Sequence, residues 1–555
     1  MPYTFTHLPP PIDKRKKSVH QTASDFTSVA STNAVASFIS TNGVLNNVKK
    51  AMQAAKGGNY NLDLIKFKAA YQPPAVAVTI TNSGSYDIFI TKYSSSGSVN
   101  WVAKIGGGQY EEPTGVSTDS NGNITVVGYF ASSTLTVYDK NGNPFATTLS
   151  NAESTDTFIA QYSSDGLVNW VARIAGTDTD VSIGGVTVDS NGNITVIGYF
   201  MSSSLTVYDK NGDPFETTLS NAGLRDIFIA QYSSVGLVNW VARIAGTDLD
   251  DPGNVTTDSN GNITVVGNFN APSTITVYDK NGDPFETTLS NDDQRHGFVV
   301  QYTSAGLVNW VAKIGGDGVK NAQGVCTDSN RNITVTGYFN SEFLTIYDKN
   351  GDPFATTLMS TGTNNAFVAQ YTSAGLVNWV ARIGGTGDHR GRGISTDSDG
   401  NITVSGYFNS SSLTVYDKNG DPLETTLSNV GANDIFIAQY SSVGLVNWVA
   451  RIAGTTSDID SGVTVDSNGN ITVVGYFASS TLTVYDKNGD PFATTLSNSG
   501  TNNVFVAQYT SAGLVNWVRR IGGSLNEFAL GVTSDSTGNI TIIGGYSSST
   551  LTIPS

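Results

Sequence analysis

The sequence predicts an all-β fold, a seven-bladed β-propeller, and three observations carry that prediction. First, the chain repeats. Its seven tryptophans, Trp101, Trp170, Trp240, Trp310, Trp379, Trp448 and Trp517, each stand between Asn and Val, and successive ones lie 69 or 70 residues apart. A fixed period marks an architecture of like units that must cover one another's apolar faces. Second, each repeat reads as short strands punctuated by Asn-Gly turns, with apolar residues on both alternating faces. Third, the order is permuted at the ends. The earliest third-strand copy, Asp87 to Tyr93, precedes the earliest first strand at Gly115, and the chain stops at Ser555, just after the seventh second strand. A closed ring whose two ends share one blade accounts for that order and removes exposed sheet edges.

The second repeat shows the elements. Gly185 to Asp189 is a first strand, and Ser190-Asn191-Gly192 is the turn that leads into a second strand, Asn193 to Phe200. Leu205 to Asp209 and Phe215 to Leu219 form an extra hairpin around Lys-Asn-Gly-Asp-Pro. Asp226 to Tyr232 is the third strand, and Leu237 to Ile244, with Trp240, is the fourth. Four-stranded blades packed round an axis cover both faces of such sheets. First strands recur at Gly115, Gly185, Asn254, Gly324, Gly393, Gly462 and Gly531, which predicts seven blades, each with an extra hairpin. The last is split, its inner strands from 524–555 and its outer ones from 76–107, with Leu551 to Ile553 expected against Val76 to Ile80.

Residues 1–75 are different. They carry nine Lys/Arg against three Asp, a net of +6, whereas the remainder carries 21 against 43 Asp/Glu, a net of −22. Residues 1–32 read as an extended arm with a basic run, Lys14, Arg15, Lys16 and Lys17. Apolar spacings over 33–56 predict a short helix. The acidic body is expected to repel nucleic acid. The sequence holds no run of 18 apolar residues, and its start lacks the charged-then-apolar pattern of a secretory signal.

The pattern Gly-Val-x-x-Asp-Ser-x-Gly-Asn-Ile-Thr-Val-x-Gly, then Asp-x-Phe-Ile-Ala-Gln-Tyr-Ser-x-x-Gly, then Asn-Trp-Val-Ala-Arg-Ile-x-Gly, resembles the bacterial-type propeller repeats of the SBBP family. Similar repeats occur in giant viruses. The resemblance covers roughly residues 80–550 and implies a propeller; it implies no particular activity. The repeats here are longer than the family's, owing to the added hairpin.

Candidate sites are few. Asp209-Lys210-Asn211-Gly212-Asp213 places oxygens at alternate positions, as a calcium loop does, but its Gly is fourth and Pro214 follows. It reads as a hairpin turn, and no cofactor is expected. Four histidines without common spacing and the lone Cys326 suggest neither a metal site nor a disulfide. The first-strand aspartates (Asp119, Asp189, Asp258, Asp328, Asp397, Asp466, Asp535) read as turn caps. The fourth-strand cations, from Lys104 and Arg173 to Arg520, read as solvated or paired blade-edge charges.

The connections after the second strand and after the fourth vary between repeats, and in an up-and-down blade both lie on one face. That face is expected to be an acidic recognition surface built from Glu111, Glu112, Asp178, Asp180, Asp248, Asp250, Asp251, Asp292, Asp293, His296, Asp388, His389, Asp458 and Asp460. The resulting expectation is a non-enzymatic interaction propeller in a virion or other large surface assembly, anchored on protein partners by its basic arm. A carbohydrate-binding propeller is the alternative, and a glycan-acting hydrolase comes third, because no carboxylate pair at a set distance is identifiable.

Overall fold

The computed structural model describes residues 77–554, apart from 152, 271–273 and 291–293. The basic arm, the expected helix at 33–56 and the anchor residues Lys14 to Lys17 lie outside the described residues. Every regular element among the described residues is a strand.

Each repeat builds an antiparallel meander. In the second, Asp180–Val181 and Val186–Val188 pair with Ile194–Phe200, which pairs with Asp226–Tyr232, which pairs with Val238–Ala245. The first strands pack side by side around the axis, and the third strands are buried at all seven positions. Both faces of the sheet are covered, as the two-sided apolar pattern requires.

The extra hairpin does not stay with its own sheet. Ser204–Val207 pairs with Leu219–Ser220, but also with the outer strand Val168–Ala175 of the preceding repeat. Each repeat thus caps its neighbour's edge, which blunts the edge strand.

The expectation of a seven-bladed propeller is corrected: the ring has six complete blades. Six sheets carry the full complement of six or seven strands. One of them is shared by the chain ends: Glu527–Ser534 and Ile540–Tyr546 lie beside Asp87–Tyr93 and Val99–Gly106, with Asp87 opposite Tyr546 and Tyr93 opposite Ile540. The remaining sheet in the ring (Asp458–Val465, Ile471–Phe477, Asn503–Tyr509, Val515–Ile521) has four strands only. Its outer pair is a separate two-stranded sheet, Val78–Thr81 with Thr550–Ile553, touching it through one bridge, Gly522 to Thr552. The physical reason is covalent. Elsewhere the outer pair is one continuous hairpin, whereas here its strands come from segments far apart in the sequence and pair with each other over four residues.

The tryptophans lock neighbouring sheets. Trp170 stacks on Tyr232 of the next sheet, with ring centroids 6.1 Å apart, and its indole N–H donates to the Ser234 carbonyl at 3.4 Å. A Cβ on Gly236 would lie 2.8 Å from the Trp170 ring, and Gly236 has φ +80°, so this position tolerates only glycine. Trp517 makes the closing contact across the chain ends, on Tyr93 at 6.2 Å and on the Ser95 carbonyl at 3.2 Å. Lys92 stands there in place of the Gln of sister repeats and pairs with Asp535 at 3.0 Å.

Candidate functional site

Most recurrent polar residues are consumed by architecture. Asp189 accepts the Asn191 and Asn193 amides at 2.9 and 2.8 Å, so it caps its turn, and its sister aspartates do the same. In the exposed hairpins Asp209 accepts the Asn211 and Asp213 amides at 2.7 and 3.0 Å. Among the edge cations, Lys104, Arg173 and Arg243 form ion pairs, and Arg382 and Arg520 hydrogen-bond an asparagine instead. Lys104 meets Asp87 at 3.1 Å, and Arg243 meets Asp226 at 3.5 Å while lying over the Tyr278 ring.

The predicted recognition residues divide. Seven are buried: Glu111, Asp180, Asp250, His296, His389, Asp458 and Asp460. Glu112, Asp178, Asp248, Asp251 and Asp388 keep some exposure. Asp292 and Asp293 lie outside the described residues. For the buried ones, a solvent-facing role is corrected, and the cause is strand length. The first strands begin about four residues before the Gly-Val signal, as in Glu111–Thr118 and Asp250–Thr257, and continue through a bulge near Gly115 or Asn254. A bulge re-aims the residues on either side of it. The residues at its far end therefore turn inward.

Glu111, Asp180, Asp250, Lys320, His389, Asp458 and Glu527 occupy one repeated position, each buried near the start of the third strand. Ser202 donates to Asp180 at 2.6 Å and Ser479 to Asp458 at 2.8 Å. Burial holds both carboxyls up at about 6, the serines offsetting part of it. The carboxyl oxygens of Asp250 have no side-chain partner among the described residues. Its burial, and then the facing Asp226 carboxylate, raise it to about 8. Burial keeps His389 neutral by lowering its pKa, and its ring nitrogens meet the Asn364 carbonyl at 2.8 Å and the Ser410 hydroxyl at 2.7 Å.

Departures from the repeat collect elsewhere, at one mouth of the central channel. A cavity of about 520 Å³ there is lined by Tyr199, Arg225, Asp251, Arg295, Gln323 and Arg392, among others. The position of Arg225 and Arg295 holds Tyr86, Thr155, Asn364, Asn433 and Asn502 in the other repeats. Asp251 bridges the two arginines, at 2.6 Å to Arg225 and 3.0 Å to Arg295. The Arg225 guanidinium lies 3.9 Å from the Tyr199 ring centre, a cation–π contact that fixes its plane. Beside them Asn268 and Asn321 share a 2.6 Å hydrogen bond, and Asn321 donates to the Tyr338 hydroxyl at 2.7 Å. Arg390 sits on the Tyr338 ring and holds Asp388 through two hydrogen bonds of 3.0 and 3.1 Å. Tyr86, Tyr110 and Phe528 form an aromatic group of their own, and Tyr110 donates to Glu112.

Sequence reasoning expected an acidic face and missed these arginines. The signal was present in the third-strand starts, where arginine occurs in two repeats only. It went unread because those residues lie just ahead of the apolar strand pattern.

With this geometry in place, comparison with known proteins adds a distant relative. The chain is 27% identical, over 456 residues, to an uncharacterized WD repeat-containing protein of Acanthamoeba polyphaga mimivirus. The match covers 70% of this chain and 32% of that one, so the chain spans about a third of the relative's length. No protein-family model matches, and the SBBP likeness remains a resemblance of motifs. Among solved structures, the WD40 propeller domain of Doa1 aligns at 12% identity over 80% of this chain and 93% of that one, with a TM-score of 0.28. The Dos1 propeller aligns at 10% identity over 64% and 90%, with a TM-score of 0.30. The propeller assignment rests on the strand pairing of this chain. No helix among the described residues is long and apolar enough to cross a membrane.

Proposed function

We propose that this chain is a non-catalytic interaction module of a large assembly, which docks a partner on its channel face. One observation carries the reading. Residues that recur around the ring cap turns, pair across edges or lock sheets together, while three arginines that break the repetition, Arg225, Arg295 and Arg392, gather at a single channel mouth. A rigid scaffold with its variation concentrated at one end of its strands is how binding surfaces are commonly built. The basic arm with Lys14, Arg15, Lys16 and Lys17 serves as an anchor on an acidic partner, and similarity to a giant-virus protein supports a virion as the setting.

The test is co-sedimentation of the full chain with particles from its native source. The chain is expected in the particle fraction, and a variant lacking residues 1–32 is expected to be lost from it. Recovery of the full chain only as a free monomer overturns the assembly reading; retention of the shortened chain overturns the anchor. A second reading, carbohydrate binding, is favoured by the Tyr86, Tyr110 and Phe528 rings beside Glu112, a platform suited to the apolar face of a sugar. Glycan-array binding abolished by Tyr110→Ala selects it.

A further inference from the structure

We propose that the channel mouth at Arg225, Arg295 and Arg392 binds an extended, acidic segment of a partner protein. This rests on the interaction-module reading and names the chemistry of its partner.

Charge is the first argument. Three guanidinium groups line one cavity, and Asp251 is the one carboxylate among its lining residues. Asp251 is already divided between Arg225 and Arg295, whose side chains stay 25% and 28% exposed. Arg392 makes no hydrogen bond or ion pair among the described residues. The acid it feels, Asp460, is buried, held by Ser405 at 2.7 Å and raised by that burial to about 6. The site is therefore a cationic pocket in a body that carries a net of −22 over residues 76–555. The N–H donors of this partly buried guanidinium are left unbonded, which is costly, and a carboxylate from outside supplies the missing acceptors.

Unfilled hydrogen bonds are the second argument. Gln323 Oε1 and Ser461 Oγ, on residues lining the same cavity, are buried without a partner among the described residues. Native proteins leave few such groups unpaired. Both accept hydrogen bonds, and the N–H groups of an extended backbone are suitable donors. A pocket that offers fixed guanidinium groups for carboxylates and acceptors for amides matches a peptide with acidic side chains. A nucleic-acid duplex carries its charge on a body too large for about 520 Å³ and meets the repulsion of the acidic surface.

The experiment measures fluorescence anisotropy of a labelled Glu-Ser repeat peptide against the full chain, with a Gln-Ser repeat as control. The Glu peptide is expected to bind and the Gln peptide not, with affinity falling as salt rises. Arg392→Gln is expected to weaken binding by about tenfold or more, the loss of one charge-assisted contact. The same variant should keep the parent's far-ultraviolet circular dichroism and a cooperative melt well above the assay temperature, so weaker binding cannot be laid to misfolding. Equal binding of the two peptides, or unchanged affinity in Arg392→Gln, overturns the proposal. Binding of a uronic-acid oligosaccharide without binding of the Glu peptide overturns the partner class. Peptide binding by a chain that never co-sediments with particles keeps this inference and defeats the assembly reading. Co-sedimentation without peptide binding does the reverse.

Discussion

Replacing Asp250 by Asn should make the protein more stable in alkaline solution. Asp250 is fully buried, faces Asp226, and is influenced also by Asp248 and Asp251; Arg243 pairs with Asp226 rather than with it. Its pKa of about 8 lies some four units above that of a free Asp carboxyl, near 3.9. The sign follows from proton counting. Below about pH 4 folded and unfolded chains both hold the proton, and between about 4 and about 8 only the folded chain does. Stability therefore falls as pH rises through that window, at up to about 1.4 kcal/mol per unit, with a ceiling of about 5.5 kcal/mol. Relaxation and water entry around a buried carboxylate bring the expected loss to about 2–3 kcal/mol. Asn is a neutral near-isostere of the protonated acid. Urea unfolding of parent and Asp250→Asn at about pH 5, 7 and 9 should show curves that separate as pH rises, the variant being the more stable at pH 9. Parallel pH profiles for parent and Asp250→Asn refute the assignment of the proton to this group.

Other expectations follow from single residues. Arg331 has φ +66° where six sister turns carry glycine at +76° to +81°, so Arg331→Gly should raise stability by about 1 kcal/mol in a denaturation series. Trp517→Ala removes the lock between the chain ends and should cost about 3–5 kcal/mol. Limited proteolysis should then cut near residues 78–106 before any other part of the ring. Lys92→Met leaves Asp535 without its cation in a buried pair, and should destabilise by about 3 kcal/mol or more, whereas Lys92→Gln, the sister residue, should cost clearly less. If both Lys92 variants unfold together, the pair has no special role at the closure.

The repeat, the strand order and the permuted ends were legible in the chain because they depend on local periodicity. Trp every 69 or 70 residues, Asn-Gly turns and two-sided apolar strands are properties of neighbouring residues. The Asp turn caps were legible for the same reason, since each bonds amides two and four residues ahead. The site was less so. Glu111, Asp180 and His389 looked like loop residues because the glycine-rich bulge hides the continuation of the strand. Arg225, Arg295 and Arg392 come from different repeats, and only packing around the axis brings them to one cavity.

By itself, then, the sequence determined an all-β ring of like units whose ends meet, because period and alternation specify which surfaces must be covered. Tertiary structure alone decided three things. It moved each outer hairpin to the preceding sheet. It left one sheet four-stranded beside six complete ones, its outer pair joined to it by a single bridge. It also turned much of a predicted acidic face inward and set arginines at the channel mouth, because which side chains meet across an axis depends on packing between residues far apart in the chain.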